Sequence, residues 1–187
     1  MIGVAELFCY AALSLGMPNA DFACDHMETV IKASEKYDIR PELLIAMIRV
    51  ESRWSPRAVS KAGACGLTQV LPKYTKRPKL SCEQLKNPTT SIMTGAKKLN
   101  FWIHKYGKGN ERVGLCGYLA GFRCKGKNKN KKGYNRYAPK VLKYASLVLN
   151  SFKEELKEQV EAEIPYLIEG HSYYECDVPE EWYPIED

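Results

Sequence analysis

Glu51 is the residue of this chain best placed to transfer a proton. It continues an apolar stripe in which Leu44, Met47 and Ile48 recur at the three- and four-residue spacing of a helix. No further acidic residue follows until Glu83. Burial in such surroundings disfavours the charged form of a carboxyl group and raises its pKa. The pattern therefore predicts a general acid at Glu51, facing the interior or the wall of a cleft.

A glutamic acid of this kind suits the cleavage of a glycosidic bond, which needs a proton on the leaving oxygen. Such an acid works at neutral pH when its pKa is raised toward about 6 to 7. Nearby guanidinium groups would lower the pKa, so we expect Arg49 and Arg53 to point away from the stripe. Most glycosidases add a second carboxylate, which the local sequence does not offer. The alternative is chemistry in which a group on the sugar takes the second role.

The elements that position Glu51 are predicted to be helices. No segment alternates as a strand does, so the loop around Gly63 and Gly66 is expected to form at most a small β-hairpin. A chain of 187 residues with 45% hydrophobic content can bury one good core. We therefore expect a mainly α fold. Helical spacing covers residues 25–37, 41 to just past 51, 90–106, 111–119 and 137–162.

Two segments flank the main domain, which we place at residues 25–150. Residues 1–24 contain the apolar run LFCYAALSLG, which is predicted to be an attachment helix and is too short to span a bilayer. A signal peptide is the less favoured alternative, because Glu6 rather than a basic residue precedes the run. Residues 151–187 form an acidic extension that is expected to pack against a partner or stay loose.

Charge is strongly segregated along the chain. Residues 52–153 carry 23 basic and two acidic side chains, whereas residues 154–187 carry one basic and 12 acidic side chains. The middle should attract an anionic polymer or surface, and the tail should be repelled by that polymer or fold back onto the middle. The run KGKNKNKKG at residues 125–133 is expected to be a mobile loop. Nucleic acid is disfavoured as the main partner, because base-reading motifs are absent.

The chain has seven cysteines, and no two of them form a CxxC pair. Zinc or a redox dithiol is therefore disfavoured, and we expect disulfides in an oxidising compartment with at least one thiol unpaired. Proximity to loops suggests pairing of Cys65 with Cys82 and of Cys116 with Cys124, while sequence alone leaves the connectivity open. The alternative is that several cysteines are small buried hydrophobic residues. The three histidines are scattered and need no catalytic or metal-binding role.

The run ESRWSPRAVSKAGACGLTQVLP resembles the signature of soluble lytic transglycosylases and their goose-type lysozyme relatives, in which a Glu-Ser pair ends a helix and a Gly-Leu-x-Gln segment follows. GYLAG at residues 117–121 is similar to the Ala-Tyr-Asn-Ala-Gly motif of that family. Tyr137 and Tyr144 match a third element of that family, which is a tyrosine near the start of the last helix and a second tyrosine further along it. The resemblance covers residues 25–150 and implies a lysozyme-like, mainly α domain.

This resemblance implies cleavage of the β-1,4 bond between MurNAc and GlcNAc in peptidoglycan without water, which leaves a 1,6-anhydromuramoyl end. Glu51 would act first as the acid and then as the base that deprotonates the C6 hydroxyl of the sugar. Tyr118 matches a tyrosine directed at the catalytic carboxyl, which a phenol can orient by a hydrogen bond. Neither a metal nor an organic cofactor is implied. The substrate-binding residues implied by the resemblance are Ser60, Gln69, Leu71, Tyr118 and Tyr137.

Two residues depart from the family pattern. Thr68 stands in place of a common methionine, which implies a modest change in wall shape. Leu119 stands in place of an asparagine, and leucine makes no polar contact with a sugar. Two alternatives therefore remain: a hydrolytic muramidase, and a structural virion or adaptor protein that keeps the fold with little activity.

The flanking segments and the cysteine pattern favour a phage virion protein that acts outside the cytoplasm, in the periplasm. Its expected partners are peptidoglycan glycan strands. Other virion or secretion-machine proteins are expected to bind the N-terminal segment and the acidic tail. The alternative is a secreted or periplasmic bacterial enzyme.

Overall fold

The computed structural model describes residues 3–124 and 133–169 of the 187-residue chain. Within these ranges β-structure is limited to two isolated bridges, so the prediction of a mainly α fold is confirmed. The described α-helices are α1 (Val4–Ser14), α2 (Ala20–Cys24), α3 (Met27–Tyr37), α4 (Pro41–Ser52), α5 (Cys82–Lys86), α6 (Pro88–Asn100), α7 (Glu111–Ala120) and α8 (Ala138–Glu169).

Helix α4 runs through the middle of the core. Pro41 occupies its first turn, where a missing N–H costs no intrahelical bond. Every residue from Glu42 to Ile48 is buried, and a helix buried on all sides must be surrounded by other elements. The end of α4, and with it Glu51, is thereby carried into the interior. Other helices contribute buried side chains to the same cluster, among them Phe8, Val30, Leu99, Leu115 and Val141.

The start of α4 is fixed by Arg40. Its guanidinium donates from Nε and Nη2 to the two carboxylate oxygens of Glu111, each at 2.9 Å. A third donor, Nη1, bonds to the buried carboxylate of Glu42. Bidentate pairs of this kind are strong and geometrically specific. Because Glu111 is the first residue of α7, Arg40 ties α7 to α4.

Helix α1 packs on the core through one face. The ring of Phe8 stacks on the ring of Phe152 in α8, with centroids 4.3 Å apart. Cys9 of α1 forms a disulfide with Cys24 of α2. The N-terminal apolar run therefore contributes to the same core as α4. The boundary predicted at residue 24 stays a prediction.

The loop between α4 and α5 is held by short-range bonds. Cys65 takes part in two isolated antiparallel bridges, so the loop has the outline of the predicted hairpin without forming strands. Cys65 is also joined to Cys82 by a disulfide. Gly66 has a positive φ, and its Cα lies so close to the carbonyl group of Leu85 that no side chain fits.

The end of α6 passes into a π-helical turn at Phe101–Tyr106, where the sequence predicted continuous helix. This turn packs against α7 at two glycines. A Cβ at Gly114 would lie 2.5 Å from Cγ1 of Ile103, and a Cβ at Gly117 would lie 2.5 Å from Cε3 of Trp102. The approach of the two elements therefore depends on glycine at both positions.

Both disulfides suggested by the sequence, Cys65–Cys82 and Cys116–Cys124, are present. The Cys9–Cys24 disulfide was not predicted, and Cys176 lies outside the described residues. The predicted loop at residues 125–133 falls almost entirely outside them, as does the tail from residue 170 onward. In the part of the chain that the structure describes, no helix has the length and apolar character needed to cross a membrane.

The chain divides into two units. The first extends to Glu155, and the second begins at Leu156. In the second unit the backbone remains helical to Glu169, beyond the predicted end at residue 162. Lys157 and Glu161 form an exposed ion pair there, with the charged atoms 3.6 Å apart.

Replacing Gly66 with alanine is expected to destabilise the fold strongly. The new Cβ would lie 1.8 Å from the backbone oxygen of Leu85, and the φ of +76° already disfavours a side chain. We expect Gly66→Ala to lower the free energy of unfolding by about 4 kcal/mol or more, as severe overpacking does. Urea denaturation followed by circular dichroism measures the loss.

Gly63→Ala is the matched control for this substitution. Gly63 has a similar φ of +80°, but the space around its Cα is open. Only the backbone strain of about 1–2 kcal/mol is then expected. Equal losses in the two variants would contradict the predicted clash with Leu85.

Candidate active site

Glu51 lies one residue before the end of α4, where the backbone turns sharply. Both residues after the helix, Arg53 and Trp54, have left-handed backbone, with φ of +54° and +59°. Such a conformation costs about 1–2 kcal/mol for a non-glycine residue. The Trp54 side chain is fully buried, and its packing offsets this strain. The turn therefore ends α4 directly behind Glu51 and is anchored in the core.

Burial raises the pKa of Glu51 from 4.5 to about 7. The hydroxyl of Tyr137 donates a hydrogen bond to Oε1 of Glu51, and this contact lowers the pKa and offsets part of the effect of burial. Tyr137 is buried and ends the π-helical turn Gly133–Tyr137, directly before α8. Near neutral pH the carboxyl group is balanced between its protonated and ionised forms. A group that first gives and then takes a proton needs this balance.

Tyr118 lies near Glu51 but does not orient its carboxyl as predicted. The Tyr118 hydroxyl donates to the backbone oxygen of Thr68 at 2.7 Å, and Tyr137 makes the contact with Glu51 instead. The prediction was wrong because the Tyr118 hydroxyl is used to hold the loop between α4 and α5 against α7. Burial, reinforced by the charge of Glu51, raises the pKa of both phenols, so both remain neutral donors.

Arg49 points away from Glu51, which confirms the expectation from the sequence. Its Cζ lies 3.6 Å from the ring centroid of Tyr144 in α8, and its hydrogen bond lowers the pKa of the Tyr144 phenol. Arg53 is exposed. The raised pKa of Glu51 thus persists two residues from a guanidinium because that guanidinium is directed to α8. The sequence pointed to Tyr144 by position and missed its contact with Arg49.

Gln69 is held by its amide nitrogen. Nε2 donates to the backbone oxygens of Ala58, at 3.1 Å, and Gly66, at 2.9 Å. The residue has a left-handed backbone with φ of +50°, which these two bonds stabilise. Because both amide hydrogens are used, Oε1 is the atom of the side chain through which Gln69 can meet a ligand.

Ser60 and Leu71 lie in the same loop and are half-buried. The Ser60 hydroxyl oxygen accepts a hydrogen bond from the backbone N–H of Ala64 at 3.0 Å, so Ser60 stabilises a turn of the loop. Leu71 precedes the 3-10 turn Pro72–Tyr74. The contacts of both side chains with a glycan stay predictions.

The two departures from the family pattern differ in exposure. Thr68 is fully buried, its hydroxyl donates to the backbone oxygen of Ser91 at 2.8 Å, and its methyl group packs against Gly95. Thr68 joins the loop to α6 and does not shape a cleft wall, so that expectation was wrong. Leu119 is 41% exposed and is accessible to a ligand.

The two acidic residues of the basic segment 52–153 are both paired with cations. Glu83 contacts Lys86 at 2.6 Å, and Glu111 contacts Arg40. The pKa of Glu51 is set by burial and by Tyr137. Neither Glu83 nor Glu111 is therefore among the causes of the raised pKa of Glu51, and both are engaged by cations.

Ionisation of Glu51 should oppose folding. Below about pH 4.5 the carboxyl group of Glu51 is protonated in both the folded and the unfolded state. Between pH 4.5 and about 7 the unfolded chain has lost this proton while the folded protein still holds it. The free energy of unfolding therefore falls as the pH rises through this range. The loss attributable to Glu51 should level off near about 3 kcal/mol above pH 7. Glu51→Gln keeps an acceptor for Tyr137 and should remove this dependence. Urea unfolding at a series of pH values tests the expectation, and identical pH dependence in the two proteins would refute it.

Tyr137→Phe should raise the pKa of Glu51 further, because the lost hydrogen bond favours the carboxylate. Carbon-13 NMR titration of the glutamate carboxyl groups measures the shift. Tyr118→Phe is the matched control, since its hydroxyl bonds to Thr68, and it should shift the pKa of Glu51 less. A fall in the pKa of Glu51 in Tyr137→Phe would show that the hydrogen bond does not favour the charged form.

Several known proteins are similar to this chain. It is 35% identical over 83 residues to a transglycosylase of Enterobacteria phage PRD1, an alignment that covers 44% of this chain and 31% of that protein. It is 36% identical over 78 residues to the endo-type membrane-bound lytic murein transglycosylase A of Klebsiella pneumoniae, with 37% and 38% covered. The chain thus spans about a third of the length of these curated relatives.

The fold also has a counterpart among solved structures. An inactive mutant of lytic transglycosylase Slt from Pseudomonas aeruginosa superposes with a TM-score of 0.59 at 20% identity, over 81% of this chain and 31% of that one. The family model of the transglycosylase SLT domain matches residues 28–140. This range is more than half of the chain and includes Glu51, Gln69, Tyr118 and Tyr137. The chain therefore belongs to the transglycosylase SLT domain family.

Proposed function

We propose that this protein is a peptidoglycan lytic transglycosylase that cleaves the β-1,4 bond between MurNAc and GlcNAc. The observation that carries the proposal is the half-buried Glu51, whose carboxyl pKa is raised by burial to about 7 and which Tyr137 holds by a hydrogen bond. Membership of the transglycosylase SLT domain family and similarity to a murein transglycosylase support the choice of substrate.

In the proposed reaction Glu51 acts twice. The protonated carboxyl group gives its proton to the glycosidic oxygen as the bond from that oxygen to C1 of MurNAc breaks. The carboxylate then takes the proton of the C6 hydroxyl of the same MurNAc, whose oxygen bonds to C1 and closes the 1,6-anhydro ring. Water is not consumed, and Glu51 returns to its protonated form. Because the sugar supplies its own nucleophile, a second carboxylate is not needed.

Tyr137 supports both steps from one position. Its hydroxyl donates to Oε1 of Glu51, and a hydrogen bond to a charged oxygen is stronger than one to a neutral oxygen. The contact therefore strengthens when Glu51 becomes a carboxylate after the first proton transfer. Burial acts in the opposite direction and restores the proton in the second step.

The loop between α4 and α5 supplies the proposed substrate contacts. Oε1 of Gln69 accepts a hydrogen bond from a sugar hydroxyl, because the amide nitrogen is already used. Ser60 keeps its hydroxyl hydrogen as a donor to the N-acetyl group, since its oxygen accepts from Ala64. Leu71 offers an apolar surface under a sugar ring, and Tyr118 fixes the wall between this loop and α7.

An extracytoplasmic site of action is part of the proposal. The three disulfides favour an oxidising compartment, and similarity to a phage transglycosylase supports delivery by a virion. α1 has three exposed apolar side chains through which virion or secretion-machine proteins would bind. These side chains are Val4, Tyr10 and Leu13.

Digestion of purified peptidoglycan followed by mass spectrometry tests the proposed reaction. The wild-type protein should release muropeptides with anhydro ends, each lighter by one water than the hydrolysis product. Glu51→Gln should lower the rate by about 10²- to 10⁴-fold, the usual contribution of a general acid or base. Its unfolding curve should match that of the wild type at low pH, which shows that the loss is chemical.

Three outcomes would contradict the proposal. Products with reducing ends would identify a hydrolytic muramidase. No digestion by the wild type would identify a structural protein that keeps the fold. Equal rates of peptidoglycan digestion by the wild type and Glu51→Gln would show that Glu51 does not take part in the reaction.

A further inference from the structure

A group of aromatic side chains lies between the π-helical turn and the end of α7, apart from the contacts of Glu51. The Trp102 ring is its centre, with ring centroids 5.2 Å from Phe101, 5.0 Å from Tyr106 and 5.1 Å from Phe122. We call these four residues the aromatic patch. Phe122 is 71% exposed and Phe101 is 43% exposed. Exposed apolar surface gathered in one place marks an interaction site more often than single exposed residues do.

Phe122 is fixed in place although it is exposed. It lies in the 3-10 turn Gly121–Cys124, which the disulfide between Cys116 and Cys124 closes. The Tyr106 hydroxyl donates to the backbone oxygen of Phe122 at 2.8 Å. The Phe122 ring also meets the rings of Trp102 and Tyr106 edge to face. A side chain ordered in advance loses little entropy on binding, which favours recognition over chance exposure.

Helix α7 connects the aromatic patch to the candidate active site. The Trp102 ring packs against Gly117, and the next residue, Tyr118, bonds to Thr68 and interacts electrostatically with Glu51. The exposed side chain of Leu119 follows, two residues before the turn that carries Phe122. The aromatic patch therefore packs on the same helix that carries Tyr118 and Leu119.

The charges around the aromatic patch are mainly basic. Lys105 of the π-helical turn and Arg123 of the 3-10 turn are exposed on the elements that carry it. Neither of these two turns contains an acidic residue. Apolar rings beside cations suit a polymer that has apolar faces and carries negative charge. A peptidoglycan strand has both, because sugar rings present C–H faces and the attached peptides end in carboxylates.

We propose that the aromatic patch is a secondary binding surface for peptidoglycan glycan strands. Phe122 and Trp102 pack against sugar rings that lie beyond those held at Glu51, and Arg123 attracts the peptide carboxylates. The surface would hold the enzyme on the insoluble polymer between cleavage events. The identity of the polymer rests on the proposed function.

Co-sedimentation with purified insoluble peptidoglycan tests this proposal. All variants carry Glu51→Gln, so cleavage does not disturb the measurement. Adding Phe122→Ala should weaken binding by about five- to tenfold, the loss expected for an aromatic anchor. Phe122→Trp, made in place of Phe122→Ala, should bind peptidoglycan as tightly as the Glu51→Gln parent. Because Phe122 is 71% exposed, loss of its ring contacts with Trp102 and Tyr106 should lower the melting temperature only slightly, and binding is measured well below the melting temperature of each variant.

Tyr10→Ala is the matched control, because Tyr10 is an aromatic residue of α1 that is 45% exposed. It should bind as the parent does. No binding by the parent, unchanged binding in Phe122→Ala, or an equal loss in Tyr10→Ala would overturn the proposal. The proposal would also be overturned if Phe122→Ala weakened binding to vesicles of anionic phospholipid but left binding to peptidoglycan unchanged. That result would assign the patch to a membrane surface. Failure of the proposed function would appear separately, as a wild type that binds peptidoglycan without cleaving it.

Discussion

The structure depends on one constraint at Glu51. Its carboxyl group must be shielded from water enough to raise its pKa, but not so much that it can no longer ionise and accept a proton. Burial raises the pKa of Glu51 to about 7, while the Tyr137 hydroxyl keeps it from rising further. Holding an ionisable group in this way opposes folding, so the surrounding elements must supply the stability. Helix α4 does so by being buried from Glu42 to Ile48, and Trp54 closes the helix with a fully buried side chain. The strained turn and the perturbed carboxyl group are thus adjacent, as expected where local stability is given up for chemistry.

The sequence predicted the parts of this arrangement that depend on periodicity. The stripe from Leu44 to Glu51 predicted a carboxyl group that faces the interior or the wall of a cleft, because helical spacing fixes which residues share a face. Glu51 is half-buried in the structure. Periodicity could not determine which phenol reaches that carboxyl group. Tyr118 and Tyr137 come from different elements, and their hydroxyl bonds follow from how α7 and the start of α8 pack. Spacing also could not separate the π-helical turn from α6, because a turn of six residues is too short to show a period of its own.

Glycines permit three close approaches between elements that the spacing of apolar residues could not predict. Gly66 admits the carbonyl group of Leu85, Gly95 admits the methyl group of Thr68, and Gly117 admits the ring of Trp102. These contacts join the loop after α4 to α5 and to α6, and they join α7 to the π-helical turn. Thr68 was expected to line a cleft wall, but it is buried and connects the loop to α6 through Ser91 and Gly95. Its neighbour Gln69 is positioned by that connection and by bonds to the loop backbone.

The three disulfides have a simple order along the chain. Cys9 pairs with Cys24, Cys65 with Cys82 and Cys116 with Cys124, at sequence separations of 15, 17 and 8. Each of these cysteines is joined to its nearest neighbour, and no loop encloses or crosses another. A chain threaded N-terminus first into an oxidising compartment would therefore meet each correct partner before any competing cysteine has emerged. Oxidation in order of arrival would give the native pairs, so these six cysteines could pair correctly as the chain enters such a compartment, without a step that reshuffles wrong bonds.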